Sequence, residues 1–167
     1  LWLLFWYCKS MNWGKTKTAT KGGLAAILVL ATPVVAQYEG LRTKAYLDPI
    51  GIATICYGET HDVELGQVQT VENCKAMLSA RLGSFAIAVD TMVKPEVKPE
   101  VLAAFSSLSY NIGIGAFQKS SVLRLANEGK LKEACDFMLK YNRAGGKVWE
   151  GLNKRRRTER LLCLQGL

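Results

Sequence analysis

Three side chains between positions 38 and 60 (YEGLRTKAYLDPIGIATICYGET) carry the groups that hydrolysis of a glycosidic bond requires: Glu39, Asp48 and Thr54. Glu39 ends an apolar segment of helical character, and Gly40 follows as a natural helix stop. A carboxyl group at a helix C-terminus meets the negative end of the dipole, and apolar neighbours penalise its charge. Both effects favour the protonated form, which a general acid must have near neutral pH. Asp48 stands in a polar turn before Pro49, a setting in which a carboxylate remains ionised. Thr54, on the strand that follows, offers a hydroxyl that can hold a water. An acid, a carboxylate and a positioned water are the parts of glycoside hydrolysis. Read as composition alone, two acids and a threonine this close together are commonplace. Glu39 would then be a surface helix-end residue and Asp48 a turn residue.

These groups need elements to position them. Residues 46–57 hold Asp48-Pro49 and Gly51 among Ile50, Ile52, Thr54 and Ile55, which predicts a small antiparallel sheet with tight turns. Helices dominate afterwards. Thr70 is placed to cap a helix with Glu72 in its first turn, running to about Val89. Pro99 suits the first turn of the next helix, where Val101, Phe105, Leu108 and Ile112 share one face. Gly113 and Gly115 break that pattern. Two more helices are expected at 121–128 and 131–140. Gly145-Gly146 then turns the chain into a last helix over 149–164. The fold class is α+β, mostly helical, with a small sheet near the N-terminal side.

The order Glu39, eight residues, Asp48, five residues, Thr54 resembles the catalytic signature of the phage-type lysozymes, a family of glycoside hydrolases. Its setting is similar as well: a YEG entry, a Y-x-D-P-x-G turn and a T-I-x-Y-G strand. Further similarity lies in AAFSSLSYNIGIGAF (103–117), SVL (121–123), AGGK and GLNKRRR, so the resemblance spans about 38–167. It implies a lysozyme-like two-lobed fold with the glycan in the cleft between the lobes. It also implies cleavage of the β-1,4 bond between N-acetylmuramic acid and N-acetylglucosamine in peptidoglycan, leading to host cell lysis. Carried over, Glu39 protonates the leaving oxygen, Asp48 acts as base or electrostatic stabiliser, and Thr54 orients the attacking water. The expected outcome is inversion, with the carboxyl groups roughly 6.5–9.5 Å apart. Tyr57, Gly58, Phe117 and Ser121 are expected to line the cleft. Cys56 and Glu59 stand where many relatives carry glycine and histidine; Glu59 is expected on a rim strand and not as a substitute for Glu39. No cofactor is implied, and the lone histidine, His61, reads as a loop residue without metal-binding partners.

The net charge is +8. Residues 1–38 contain four lysines and no acid, and the other 18 basic residues share the rest of the chain with all 14 acids. Such a balance favours polyanionic partners, an anionic cell wall among them. No aromatic platform accompanies the basic run Lys154–Arg157, so nucleic acid is not expected as a partner. That run reads as a solvated face, or as the source of one arginine that pairs with Glu39. Met11 reads as the natural start, with 1–23 a basic and apolar extension. The uncharged run 24–38 reads as a signal anchor, with a cleaved signal peptide or a buried first helix as alternatives, leading into a catalytic domain over 39–167. A cut after Ala36 would leave Glu39 without support upstream. An anchor joined to the catalytic helix resembles the signal-anchor-release endolysins of lambdoid phages. It implies a monomer tethered to the host inner membrane and then released to the periplasm. The alternatives are a lytic transglycosylase on the same scaffold and a non-catalytic, membrane-tethered wall-binding protein. Of five cysteines, Cys56, Cys74, Cys135 and Cys163 lie in the domain. They are expected as 56–74 and 135–163 disulfides, although four cysteines allow three pairings and buried free thiols are the alternative.

Overall fold

A computed structural model describes residues 21–48 and 51–167. The readings of Met11 and of the extension before residue 21 lie outside them. Helix α1 (Lys21–Glu39) places Ile27, Ala31 and Val35 at four-residue spacing, and this stripe is buried against the rest of the core. Its far side is open, with Val29 exposed. The apolar run is therefore packed as the first helix of the domain, against α2 (Val71–Met92) and α3 (Pro99–Ile112). Among the described residues no helix is long and apolar enough to cross a membrane.

Thr70 caps α2, its hydroxyl accepting from the Asn73 amide at 3.1 Å. Leu78, Leu82, Ala86 and Val89 turn inward from that helix. Pro99 opens α3 without the loss of an intrahelical bond, because an N–H at that position has no helical acceptor. Every side chain from Val101 to Ser109 is buried, since α1, α2 and the last helix all pack on α3. This is broader burial than the single face expected from sequence. Gly113, at φ +88°, ends α3, yet the chain re-enters a short helix, α4 (Ile114–Gln118). Helix α5 (Ser121–Asn127) is capped by Ser120. The segment expected as one helix over 131–140 splits into α6 (Leu131–Phe137) and a 3-10 turn, Met138–Lys140.

The described residues also form two small antiparallel pairs. Strand β1 (Arg42–Leu47) pairs with β2 (Ala53–Cys56), with Tyr46 opposite Thr54 and Leu47 opposite Ala53. Strands β3 (Arg143–Ala144) and β4 (Lys147–Val148) flank Gly145-Gly146. Both glycines have positive φ, +56° and +77°, as a two-residue hairpin turn demands. Helix α7 (Glu150–Gln165) follows directly. Among the described residues the disulfides are Cys56–Cys74, which ties β2 to α2, and Cys135–Cys163, which ties α6 to α7.

Candidate active site

Glu39 is the last residue of α1, and Gly40 reverses the chain at φ +73° into β1. Its side chain is 24 % exposed, and its Oε1 accepts a 2.7 Å hydrogen bond from Arg155 Nη1. The surroundings expected to be apolar thus contain a guanidinium, delivered by α7. The end of α1 is held to α7 a second time by the Tyr38 and Thr158 hydroxyls, 2.7 Å apart. Beside Glu39 lies a groove of about 440 Å³, lined among others by Tyr38, Asn111, Trp149, Leu152 and Arg155. Trp149 is 57 % exposed. Its indole N–H donates to the Ala144 carbonyl at 3.0 Å, so the β3–β4 hairpin fixes the ring at the groove edge.

Arg155 is itself buried, and so are Arg156 and Glu159 on the same face of α7. The basic run is therefore not a solvated face throughout: Lys154 and Arg157 are exposed, whereas Arg155 and Arg156 point inward. Arg155 Nε donates to Glu159 Oε1 at 3.1 Å and its Nη2 to the Ser107 carbonyl at 3.3 Å. Glu159 Oε1 also accepts from Ser107 Oγ at 2.6 Å and from Arg156 Nη2 at 3.1 Å. Arg156 Nε lies 3.0 Å from Glu159 Oε2, a charge contact without hydrogen-bond alignment. Burial pushes Glu159 above the usual carboxylate range, against the pull of the two arginines and Ser107. Burial likewise pushes Arg156 down to about 10, opposed by Glu159.

On the hairpin, Asp48 and Thr54 are organised around one residue. Asp48 Oδ1 accepts from the Ile52 amide at 2.8 Å, and the Ile52 carbonyl accepts from the Asp48 amide at 2.9 Å. That carbonyl also accepts from Thr54 Oγ1 at 3.0 Å. Two residues further on, Cys56 takes the left-handed conformation at φ +58° and is locked to α2 by its disulfide. Gly58 is exposed, and its carbonyl accepts from Arg81 at 2.9 Å. Glu59 pairs through its backbone with Ile55 in an isolated bridge, and lies in no strand. Partial burial works to raise its carboxyl, but amide bonds from His61 and Thr60 and the charge of Arg81 hold it below the usual range. His61 is an exposed loop residue 2.9 Å from Asp62.

Phe117 corrects the expected cleft lining. It is wholly buried, with its ring 5.9 Å from that of Phe105, because α4 turns that side chain into the core. Tyr57 is also mostly buried, and its carbonyl accepts from Tyr110 at 3.5 Å. Ser121 is half-buried at the start of α5 and does not line the groove beside Glu39. Trp149, Asn111, Ser107 and Glu159 are not foreseen in sequence. The one available signal is the spacing of Arg155, Arg156 and Glu159, which puts all three on one helical face.

Glu39 thus stands at the end of a helix, held by an arginine beside a groove, and the hairpin that follows carries Asp48 and Thr54, neither of which is among the residues lining that groove. The sequence model of the family described as Phage lysozyme matches residues 36–159. The SAR-endolysin of Bacteriophage PS119 is 38% identical over 152 residues, covering 89% of this chain and 91% of the relative. That of Enterobacteria phage P21 is 36% identical over 157 residues, covering 91% and 95%. The crystal structure of a P22 lysozyme mutant superposes with a TM-score of 0.73 at 33% identity, covering 87% of this chain and 97% of that one. The chain belongs to the phage lysozyme family. It is an endolysin that hydrolyses peptidoglycan.

Proposed function

We propose that Glu39 is the general acid, that Asp48 and Thr54 serve the attacking water, and that the bond cut is the β-1,4 link between N-acetylmuramic acid and N-acetylglucosamine. The observation that carries this reading is the one-sided hold on Glu39, whose Oε1 is bonded by Arg155 at 2.7 Å at the edge of the groove. An oxygen that already accepts a charge-assisted bond is the poorer site for a proton. The proton to be donated therefore sits on Oε2 and passes to the leaving oxygen. Thr54 has given its hydroxyl hydrogen to the Ile52 carbonyl, so towards a water it acts as acceptor. A water that donates to Thr54 and to Asp48 turns a lone pair toward the anomeric carbon. The reaction then inverts, and its first product is the α-anomer. The exposed indole of Trp149 receives a sugar face along the groove.

The test is turbidity loss on purified peptidoglycan, wild type beside Glu39→Gln, with analysis of the new ends. Loss of clearing in the variant, with reducing muramic acid ends from the wild type, is the expected result. Clearing by Glu39→Gln would remove Glu39 from its role. Anhydro ends would convert the reaction to transglycosylation.

Delivery follows the reading of residues 24–38 as a membrane tether, with release to the periplasm. The names of the relatives support it, and so does the packing of α1. Ile27, Ala31 and Val35 cannot be in lipid and in this core together, so in the tethered state the helix that ends in Glu39 is withdrawn from the core. Cell fractions blotted before and after an uncoupler should show one mass moving from membrane to periplasm. A smaller product at export would replace the tether with a cleaved signal.

A further inference from the structure

We propose that Glu159 is a positioning residue for the hydrolysis: by holding Arg155 at Nε, it limits that arginine to a single bond with Glu39. The inference rests on the assignment of Glu39 as the acid.

A buried carboxylate is costly unless its lone pairs and charge are matched. Glu159 is wholly buried, and Arg156, in contact with both its oxygens at 3.0 and 3.1 Å, would by itself match its charge. A role confined to stability does not require Arg155. Yet Arg155 Nε is also directed at Glu159, at 3.1 Å, and Ser107 supports the pair from both sides. Its hydroxyl donates to Glu159 at 2.6 Å, and its carbonyl accepts from Arg155 Nη2 at 3.3 Å. All three nitrogens of the guanidinium are therefore assigned: Nε to Glu159, Nη2 to α3 and Nη1 to Glu39.

The consequence lies in what the fork is prevented from doing. An unconstrained guanidinium takes a carboxylate by two parallel bonds, which would engage both oxygens of Glu39. A carboxyl group clasped in that way has no oxygen left to carry and deliver a proton. Anchored at Nε and Nη2, Arg155 reaches Glu39 with Nη1 alone, and only Oε1 is engaged. Glu159 also balances the charge of Arg155, so a protonated Glu39 is not left beside an uncompensated pair of cations. Other ionisable groups at this corner are Arg156 from α7, Tyr110 from α3, on which Arg81 and Glu59 also act, and Tyr38 from α1 itself.

Two variants separate this role from a structural one. Glu159→Gln keeps the shape and removes the charge. Glu159→Asp keeps the charge but withdraws the carboxylate by one methylene from Arg155, Arg156 and Ser107 alike. Each is measured well below its own melting temperature, with folding checked by near-ultraviolet circular dichroism. The expected result for either folded variant is a fall in kcat of about tenfold or more, with KM within about twofold. The high-pH limb of the Glu159→Gln activity profile should move to lower pH, because a negative charge beside Arg155 and Arg156 is removed. In an Arg155→Gln background, Glu159→Gln should add no further loss, because the arm through which it acts is gone. A folded Glu159→Asp or Glu159→Gln enzyme with wild-type kcat and pH profile would overturn the proposal. So would an equal, independent loss in the Arg155→Gln background. Activity in Glu39→Gln would instead strike the assignment of the acid and is read separately.

Discussion

Arg155 and Glu39 form one ion pair, but removing either end should have very different consequences. Replacing Arg155 by methionine keeps the aliphatic stem and deletes the guanidinium. Glu159, wholly buried, would then lose its Nε bond and one of its two cations, and the Ser107 carbonyl would lose a donor. Arg156 still matches the charge of Glu159, so the loss is that of buried hydrogen bonds to charged groups, about 1.5–3 kcal/mol. For a domain of this size each kcal/mol is worth about 2–4 °C, so the melting temperature should fall by roughly 3–12 °C. Replacing Glu39 by glutamine is the mirror experiment. Glu39 is partly exposed, the glutamine amide still offers Arg155 an oxygen, and the Nε and Nη2 anchors of Arg155 are untouched. The change should cost about 1 kcal/mol, because the amide oxygen keeps one hydrogen bond and Glu159 remains as the counter-charge of Arg155, while activity is abolished. Thermal melts followed by far-ultraviolet circular dichroism, beside turbidity loss on peptidoglycan, read both quantities. A drop of less than about 2 °C for Arg155→Met, or a larger drop for Glu39→Gln than for Arg155→Met, would refute the view that the arginine is anchored from the interior.

The disulfides should separate in the same assays. Cys135→Ala with Cys163→Ala is expected to cost about 3 kcal/mol of stability without altering kcat at low temperature. Cys56→Ala with Cys74→Ala should cost a similar amount and lower kcat as well, since Cys56 follows Thr54 by two residues in a left-handed conformation. Trp149→Ala should raise KM about fivefold to tenfold with kcat within about twofold, and a soluble N-acetylglucosamine oligomer should shift the wild-type indole fluorescence; equal KM values would remove Trp149 from the glycan site. Hydrogen bonds from Lys132 and Arg160 hold Asp136 below the usual carboxylate range. A depressed carboxyl stabilises the fold above its unfolded value, about 3.9, and that contribution is lost as pH falls through the lower folded value. The melting temperature should therefore decline between about pH 5 and 3, and Asp136→Asn should make the decline shallower.

The parts of this molecule that local chemistry determines are readable from the chain. Thr70, Pro99 and Gly40 act within a residue or two of themselves, so the starts of α2 and α3 and the end of α1 fall where their types place them. The Gly145-Gly146 turn is legible for the same reason, although the strand pair around it is not, because two residues a side carry no alternating pattern. Gly113 misleads in part: it stops α3, but tertiary packing of Phe117 draws the chain back into a helix that a glycine-flanked run does not advertise. Phe117 itself, expected at the cleft on resemblance, lies in the core, since the family pattern marks a position and not the direction of its side chain.

The functional corner shows why the remainder is hidden. Arg155, Arg156 and Glu159 sit in a strongly polar stretch of the chain, and polarity is the usual mark of a solvated face. What turns them inward is α3, more than forty residues earlier, whose Ser107 and Asn111 supply the polar partners that let charged groups be buried. Nothing within α7 announces those partners. The single hydroxyl of Ser107 bonds Glu159, Glu159 fixes Arg155, and Arg155 reaches Glu39 at the far end of another helix. A site assembled through such a chain of non-local bonds depends on the whole helical core being closed. The Glu39 carboxyl at the end of α1 is therefore held in place only when Ile27, Ala31 and Val35 are seated in that core.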